Sequence, residues 1–335
     1  MNELPSFLAY SSFLLGFLGF QIIPGYSYKE YEKFMKGKHL VPFRKPMATS
    51  KKLDLQEEKY PSPNWMVLTN LPVALAYGYM LRILMPYFSY QFMSDDRFVE
   101  RFSFLFKLAY CVPCGFMFRL RFYFAWKLGQ SIYYAAGFGF SGWTEDGKEQ
   151  WELVRNGELT RVESCSNWKE LWDTWNNMTS KWLRFICYSR IQNKSAAAAI
   201  TFLFSAMWHG FHPGYYIQFA HSYLFVLVGR KIRKTIWPHF QDSYFKKIMY
   251  NCVTWVGCQL SMCYAIIPMS ELQLSSTFVI FRSLYFYMSW IAIFLLIVLQ
   301  PKRPVKSLQL SGTSEDQRQK VDDRKRECNE SRKKK

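Results

Sequence analysis

The chain has 335 residues, half of them hydrophobic and 19% aromatic, and 43 Lys and Arg against 25 Asp and Glu give it a net charge of +18. That balance excludes an ordinary soluble enzyme, a disordered chain and a small secreted disulfide scaffold. Residues 195–229 run for 35 positions without an Asp, Glu, Lys or Arg, and 248–270 for 23, lengths that predict membrane elements.

In chain order, an apolar element is predicted over 6–23, a basic loop over 25–63, and spans over 65–90 and 102–126. The last of these holds Lys107, Arg119 and Arg121, which suit protein or phosphate contact better than lipid. Cys111 and Cys114, in the same span, have redox or zinc-ligand spacing. No second pair completes four ligands, so packing is expected, and no metal. Residues 142–166 read as a loop and 167–188 as one amphipathic helix. As a single helix the uncharged run would be about 52 Å long, against a hydrocarbon core of roughly 30 Å, so it must break. Pro213 removes a helix donor and biases His212 away from helical dihedrals, dividing 195–211 from 215–229. Elements 248–270 and 272–300 complete a membrane-embedded domain over 1–300. Residues 301–335 are expected to be a basic, disordered tail.

Lys and Arg outnumber Asp and Glu by 9 to 5 in 25–63, 6 to 1 in 230–247 and 12 to 6 in 301–335, and all three segments flank apolar runs. Positive charge of this kind holds loops in the cytosol. No basic stretch carries a nucleic-acid-binding motif, so nucleic acid is not an expected partner. An even number of elements separates the basic segments, which puts the start of the chain on the lumenal face.

Polar side chains inside membrane elements are functional candidates by default. His209 follows Ala206-Met207-Trp208 in a run with no carboxylate to hold a charged imidazole, so it is expected to be neutral and able to accept a proton. Its spacing leaves open a core histidine satisfied by a carbonyl. His221 reads as a structural or interfacial residue. Trp168, Trp172, Trp175, Thr179 and Trp182 recur at helical spacing on 167–188. At about 100° per residue, Asn176 lies about 40° from Trp172, on the flank of that stripe, with Asp173, Asn177 and Lys181 pointing elsewhere. An interfacial amphipathic helix explains the same stripe. The sequon at Asn177 falls in a segment expected to face the cytosol.

The pairing of WDTWNNMTSKWL with SAMWHGFHPGYY resembles the membrane-bound O-acyltransferase (MBOAT) family, in particular its lysophospholipid acyltransferase branch. The likeness extends from LPSFLAYSSFLLGFLGFQIIPGYSYKEY through GFGFSGWTEDGKEQWELVRN to about residue 294. It implies an all-α polytopic membrane protein, a helical bundle with re-entrant or amphipathic elements around an enclosed reaction chamber. Relatives place further helices before the segment that here begins the chain, so a shortened N-terminus is implied. The branch often has a histidine soon after a Tyr-Phe pair, and Tyr285-Phe286-Tyr287-Met288-Ser289 has none.

The implied activity is transfer of a long acyl group from acyl-CoA, a co-substrate, to the free hydroxyl of a lysophospholipid, with membrane lipids around it and no cofactor. His209 matches the general base and Asn176 the assisting residue. Trp172, Trp175, Thr179, Trp208, His212, Tyr215 and Tyr216 belong to the same two segments as substrate contacts. Lys181, Arg184 and Arg190 are expected to meet the CoA phosphates. The alternatives are a sterol, diacylglycerol or protein acceptor, or a catalytically silent lipid-binding membrane protein. The ending Arg332-Lys333-Lys334-Lys335 is similar to dibasic retrieval tails, which implies the endoplasmic reticulum membrane. A tag placed after Lys335 is therefore expected to be digested by protease in intact microsomes. Protection of that tag would overturn the arrangement, and with it the expectation that the CoA side of the site opens toward residues 230–247.

Overall fold

A computed structural model describes residues 4–15, 26–39 and 61–299, which fall in one compact unit, Met1–Leu299. The tail 301–335, much of the basic segment 25–63 and the second half of the apolar element 6–23 lie outside the described residues. The helices α1 (Phe7–Leu14) and α2 (Tyr28–Met35) come first, so the basic segment is not wholly a loop. Ser27 and Glu30 close a reciprocal capping box at the start of α2.

Next come α3 (Asn64–Leu84), the short α4 (Tyr90–Met93) and α5 (Asp96–Arg101), and α6 (Phe104–Ala135), whose 32 residues reach about 48 Å at 1.5 Å per residue. Residues 142–166, read from sequence as a loop, hold two elements. They are a small antiparallel hairpin, β1 (Gly142–Trp143) against β2 (Glu149–Gln150) with Gly142 opposite Gln150, and the helix α7 (Leu159–Ser164). Then follow α8 (Trp168–Thr174), α9 (Asn177–Ile186), α10 (Lys194–His209), α11 (Pro213–Thr235) and α12 (Tyr244–Glu271). The expected break in the uncharged run is present, with Pro213 at the first turn of α11.

The element predicted over 272–300 is instead two helices, α13 (Leu274–Ser283) and α14 (Tyr287–Val298), bent by 74°. Tyr285 and Phe286 between them take left-handed backbone angles. The bend is set by packing, since Phe281 stacks on Tyr264 at 4.4 Å and Tyr287 meets the same ring edge-on. Of the described helices, α3 and α12 are long and apolar enough to cross a membrane, or three spans are present if the bent pair counts as one. The 16 residues of α10 reach only about 24 Å, and α11 ends in Arg230, Lys231, Arg233 and Lys234.

The main core joins α6, α11, α12 and α13 around Tyr264, Ile267, Ile280 and Leu284. Cys111 and Cys114 are buried in it with free thiols, as packing residues. A second cluster, Tyr133, Tyr134, Phe138, Trp151, Val154 and Met178, joins the end of α6 to the hairpin and to α9.

The charges in α6 are satisfied by protein. Lys107 Nζ donates to the Val99 carbonyl at 2.6 Å, and Arg121 lies over the Phe118 ring. Arg119, 2% exposed, forms a bidentate pair with Glu163 of α7, with Nε and Nη2 donating at 2.8 and 2.7 Å. Tyr123 donates to the same carboxylate, and the Glu163 carbonyl accepts from Trp255 and Gln259 of α12. Removing one partner of such a buried pair strands the other charge. Glu163→Ala is expected to cost about 3–5 kcal/mol. Asp242→Ala, which breaks an exposed pair with Lys246, is expected to cost less than about 1 kcal/mol. Thermal unfolding in detergent compares them, and equal losses would contradict the assignment.

Candidate active site

A cavity of about 720 Å³ opens between α6, α8, α9, α10, α11 and α12. Its apolar wall includes Phe122, Trp172, Phe202, Phe219, Met262 and Ile266, and both Asn176 and His209 line it.

Asn176 arrives by a route different from the one its spacing predicts. The single helix expected over 167–188 is broken into α8 and α9 at Trp175 and Asn176, and Asn176 is left-handed, with φ 48° and ψ 54°. Asparagine accepts that region more readily than most residues. The break turns the second helix, so that Asn177 and Lys181, expected to point away, also border the cavity, as does Asp173. Three tryptophans of the stripe pack on protein. Trp168 is buried and donates to Ser261 Oγ at 2.8 Å, Trp172 packs on Phe202 and Phe219, and Trp175 packs on Phe122 and Trp126.

His209 ends α10, in ring contact with Trp208, Tyr215 and Phe219. Among the described residues it makes no ion pair and no hydrogen bond to another group. His221 has the opposite character, with Nδ1 at 2.9 Å from the Ile217 carbonyl and Nε2 at 3.1 Å from Ser289 Oγ. The satisfied core histidine is thus His221, and the open one is His209.

The WHG and PGYY residues have geometric reasons. Gly210 follows the last turn of α10 at φ 130°, and its N–H closes onto the Ala206 and Met207 carbonyls. Gly214 lets the start of α11 touch the end of α12, where its N–H donates to the Leu272 carbonyl. A Cβ there would lie 2.8 Å from Leu272 Cα and closer still to the Pro268 carbonyl oxygen.

Of the remaining predicted contacts, Trp172, Trp175, Thr179, Lys181 and Arg184 line the cavity. Trp208, His212, Tyr215, Tyr216 and Arg190 do not. Trp208 turns toward Trp182, and His212 is exposed at the start of α11. Tyr215 supports the outer side of His209, and Arg190 folds over Phe185. Sequence reasoning missed Gln218, and it turned the CoA side toward 230–247 without singling out Arg230 as a contact. Gln218 is the only carboxamide in the uncharged run, a signal that could have found it. At the mouth, Lys169 is paired with Asp173, whereas Lys181, Arg184 and Arg230 hold no ion pair among the described residues.

Among the described residues, four buried polar atoms of residues on this cavity have no partner: Trp172 Nε1, Asn176 Oδ1, Thr179 Oγ1 and Gln218 Oε1. Such atoms are costly unless something else meets them, so their convergence marks a place for a polar ligand group. Among the described residues no three His, Cys, Asp or Glu side chains form a metal-binding group.

Residues 2–270, which include both segments, match the membrane-bound O-acyltransferase family. The chain belongs to that family. It is 32% identical over 308 residues to membrane-bound glycerophospholipid O-acyltransferase 1 of Mus musculus, a match covering 90% of this chain and 62% of that protein. It is also similar to a lysophospholipid acyltransferase of Saccharomyces cerevisiae, 29% identical over 303 residues covering 86% and 48% of the two chains. With lysophospholipid acyltransferase 6 of Drosophila melanogaster the identity is 27% over 302 residues, covering 89% and 41%. The chain spans three-fifths or less of the length of most of these relatives.

The close approach at Gly214 is directly testable. Gly214→Ala is expected to lose about 1–3 kcal/mol by forcing α11 from α12. Gly257→Ala, in α12 with nothing within 4 Å of the added methyl, is expected to gain about 0.5–1 kcal/mol. Thermal unfolding of the two variants should move in opposite directions.

Proposed function

We propose that this chain transfers an acyl group from acyl-CoA to the free hydroxyl of a lysophospholipid, with His209 as general base and Asn176 assisting. The observation that carries the reading is the meeting of an unpartnered imidazole and an unpartnered carboxamide oxygen on one largely apolar cavity. The names of the relatives support a phospholipid acceptor.

Holding no ion pair among the described residues, His209 can take the acceptor hydroxyl's proton as the oxygen bonds to the thioester carbonyl carbon. That general-base step typically contributes about 10²–10⁴-fold. The carbonyl electron pair moves onto oxygen, and a donor such as the Asn176 amide N–H there is worth roughly 3 kcal/mol. Collapse of the tetrahedral intermediate breaks the carbon–sulfur bond. The imidazolium then returns its proton to the CoA thiolate. Lys181, Arg184 and Arg230 at the mouth suit the CoA phosphates, with Arg230 taking the place expected for Arg190. The lipid acceptor enters laterally from the bilayer. The setting that fits is the endoplasmic reticulum membrane with residues 301–335 in the cytosol.

Radiolabelled acyl transfer in membranes lacking the endogenous enzymes tests the reading, with choline, ethanolamine, serine and inositol lysophospholipids as acceptors. Transfer above background is expected. His209→Ala and Asn176→Ala are each expected to lower turnover by at least about 10²-fold with expression near normal. No transfer from a demonstrably folded chain would overturn the activity, and a near-normal rate in His209→Ala would move the base elsewhere.

A further inference from the structure

We infer that Asn156 is a positioning residue: from the loop between β2 and α7 it caps α9 in place of Asn176, leaving the Asn176 carboxamide free to face the cavity. The inference rests on the role proposed above for Asn176.

An asparagine at a helix N-cap ordinarily turns its side-chain oxygen onto a first-turn N–H and is occupied by that bond. Asn176 stands at the N-cap of α9 and makes no such bond. Its left-handed backbone replaces the extended conformation from which a capping side chain folds over the first turn. The first N–H groups of α9 go to Asn156 instead. Asn177 N–H donates to the Asn156 carbonyl at 2.6 Å, and Met178 N–H donates to Asn156 Oδ1 at 3.0 Å.

Asn156 is fully buried and lies outside the cavity wall, so it acts only through its neighbour. Its loop is held on both sides. Arg155 pairs with Glu152 at 2.7 Å and with Glu158, and Glu152 N–H donates to Ser141 Oγ beside the hairpin. Met178, the residue whose N–H is capped, packs into the cluster of Tyr133, Tyr134 and Trp151. The start of α9 is thus fixed from outside, and Asn176 Oδ1 remains buried, unpartnered and on the cavity.

The test uses the full chain in nanodiscs with the variants Asn156→Leu, Asn156→Ala, Asn156→Asp and Asn176→Ala. Asn156→Asp keeps the accepting oxygen and removes an Nδ2 that has no partner. Hydrogen exchange at the Met178 amide is expected to rise about 10-fold in Asn156→Leu and to stay near the parent value in Asn156→Asp. With acyl transfer as readout, Asn156→Leu is expected to lower kcat by about 10-fold or more, with KM for acyl-CoA within about twofold. Asn156→Asp is expected to hold kcat within about threefold. Parent-like exchange and kcat in folded Asn156→Leu would overturn the inference, and Asn156→Ala gives the same decision if the leucine variant is not recovered. A parent-like rate in Asn176→Ala, or a parent chain without transfer, overturns the function reading instead, and the exchange data then decide the cap by themselves.

Discussion

The pair of Arg119 and Glu163 is the constraint on which the rest of the unit depends. A guanidinium 2% exposed in the middle of a long apolar helix has to be met by a carboxylate with matching fork geometry, and Glu163 meets it through both oxygens. That requirement brings α7 against α6. The backbone carbonyl of the same glutamate then accepts from Trp255 and Gln259, which draws α12 to the same point. Arg119 also lines the cavity, so the pair and the cavity wall share a residue.

From that pair the chain continues into α8 and breaks at Asn176. A continuous helix would have satisfied more backbone groups locally. The break leaves a left-handed residue and hands the first N–H groups of α9 to a distant loop, and what it creates is a polar atom facing a largely apolar space. Strained or unsatisfied groups tend to collect at working sites because a well-packed surround can hold them there. Trp172 Nε1, Thr179 Oγ1 and Gln218 Oε1 share that condition on the same cavity. His221 differs from His209 in that both of its ring nitrogens are engaged.

Much of this was legible in the residues. Local rules suffice for the break at Pro213, for the helices α3 and α12, and for the separation of basic segments from apolar runs, because proline geometry, run length and charge act over a few residues. That Asn176 and His209 come together on one cavity agrees with the pairing expected from the two motif segments. Helical spacing put Trp172 and Thr179 on the face that lines the cavity, yet it failed for Asp173, and beyond the break it failed for Asn177 and Lys181, since it assumed a helix that does not continue through Asn176.

By itself the sequence determined an all-helical membrane chain, the places where proline must interrupt it, and the two segments that bring Asn176 and His209 to the cavity. Only the tertiary structure decided which histidine is satisfied, why residue 214 must lack a side chain, that 272–300 bends into two helices, and that Arg230 rather than Arg190 reaches the mouth. The division has one physical reason. Helix formation and breaking are set by neighbours along the chain, whereas burial, close approach and the loss of a hydrogen-bond partner are set by neighbours in space, and Asn156 and Met178, or Arg119 and Glu163, become neighbours only on folding.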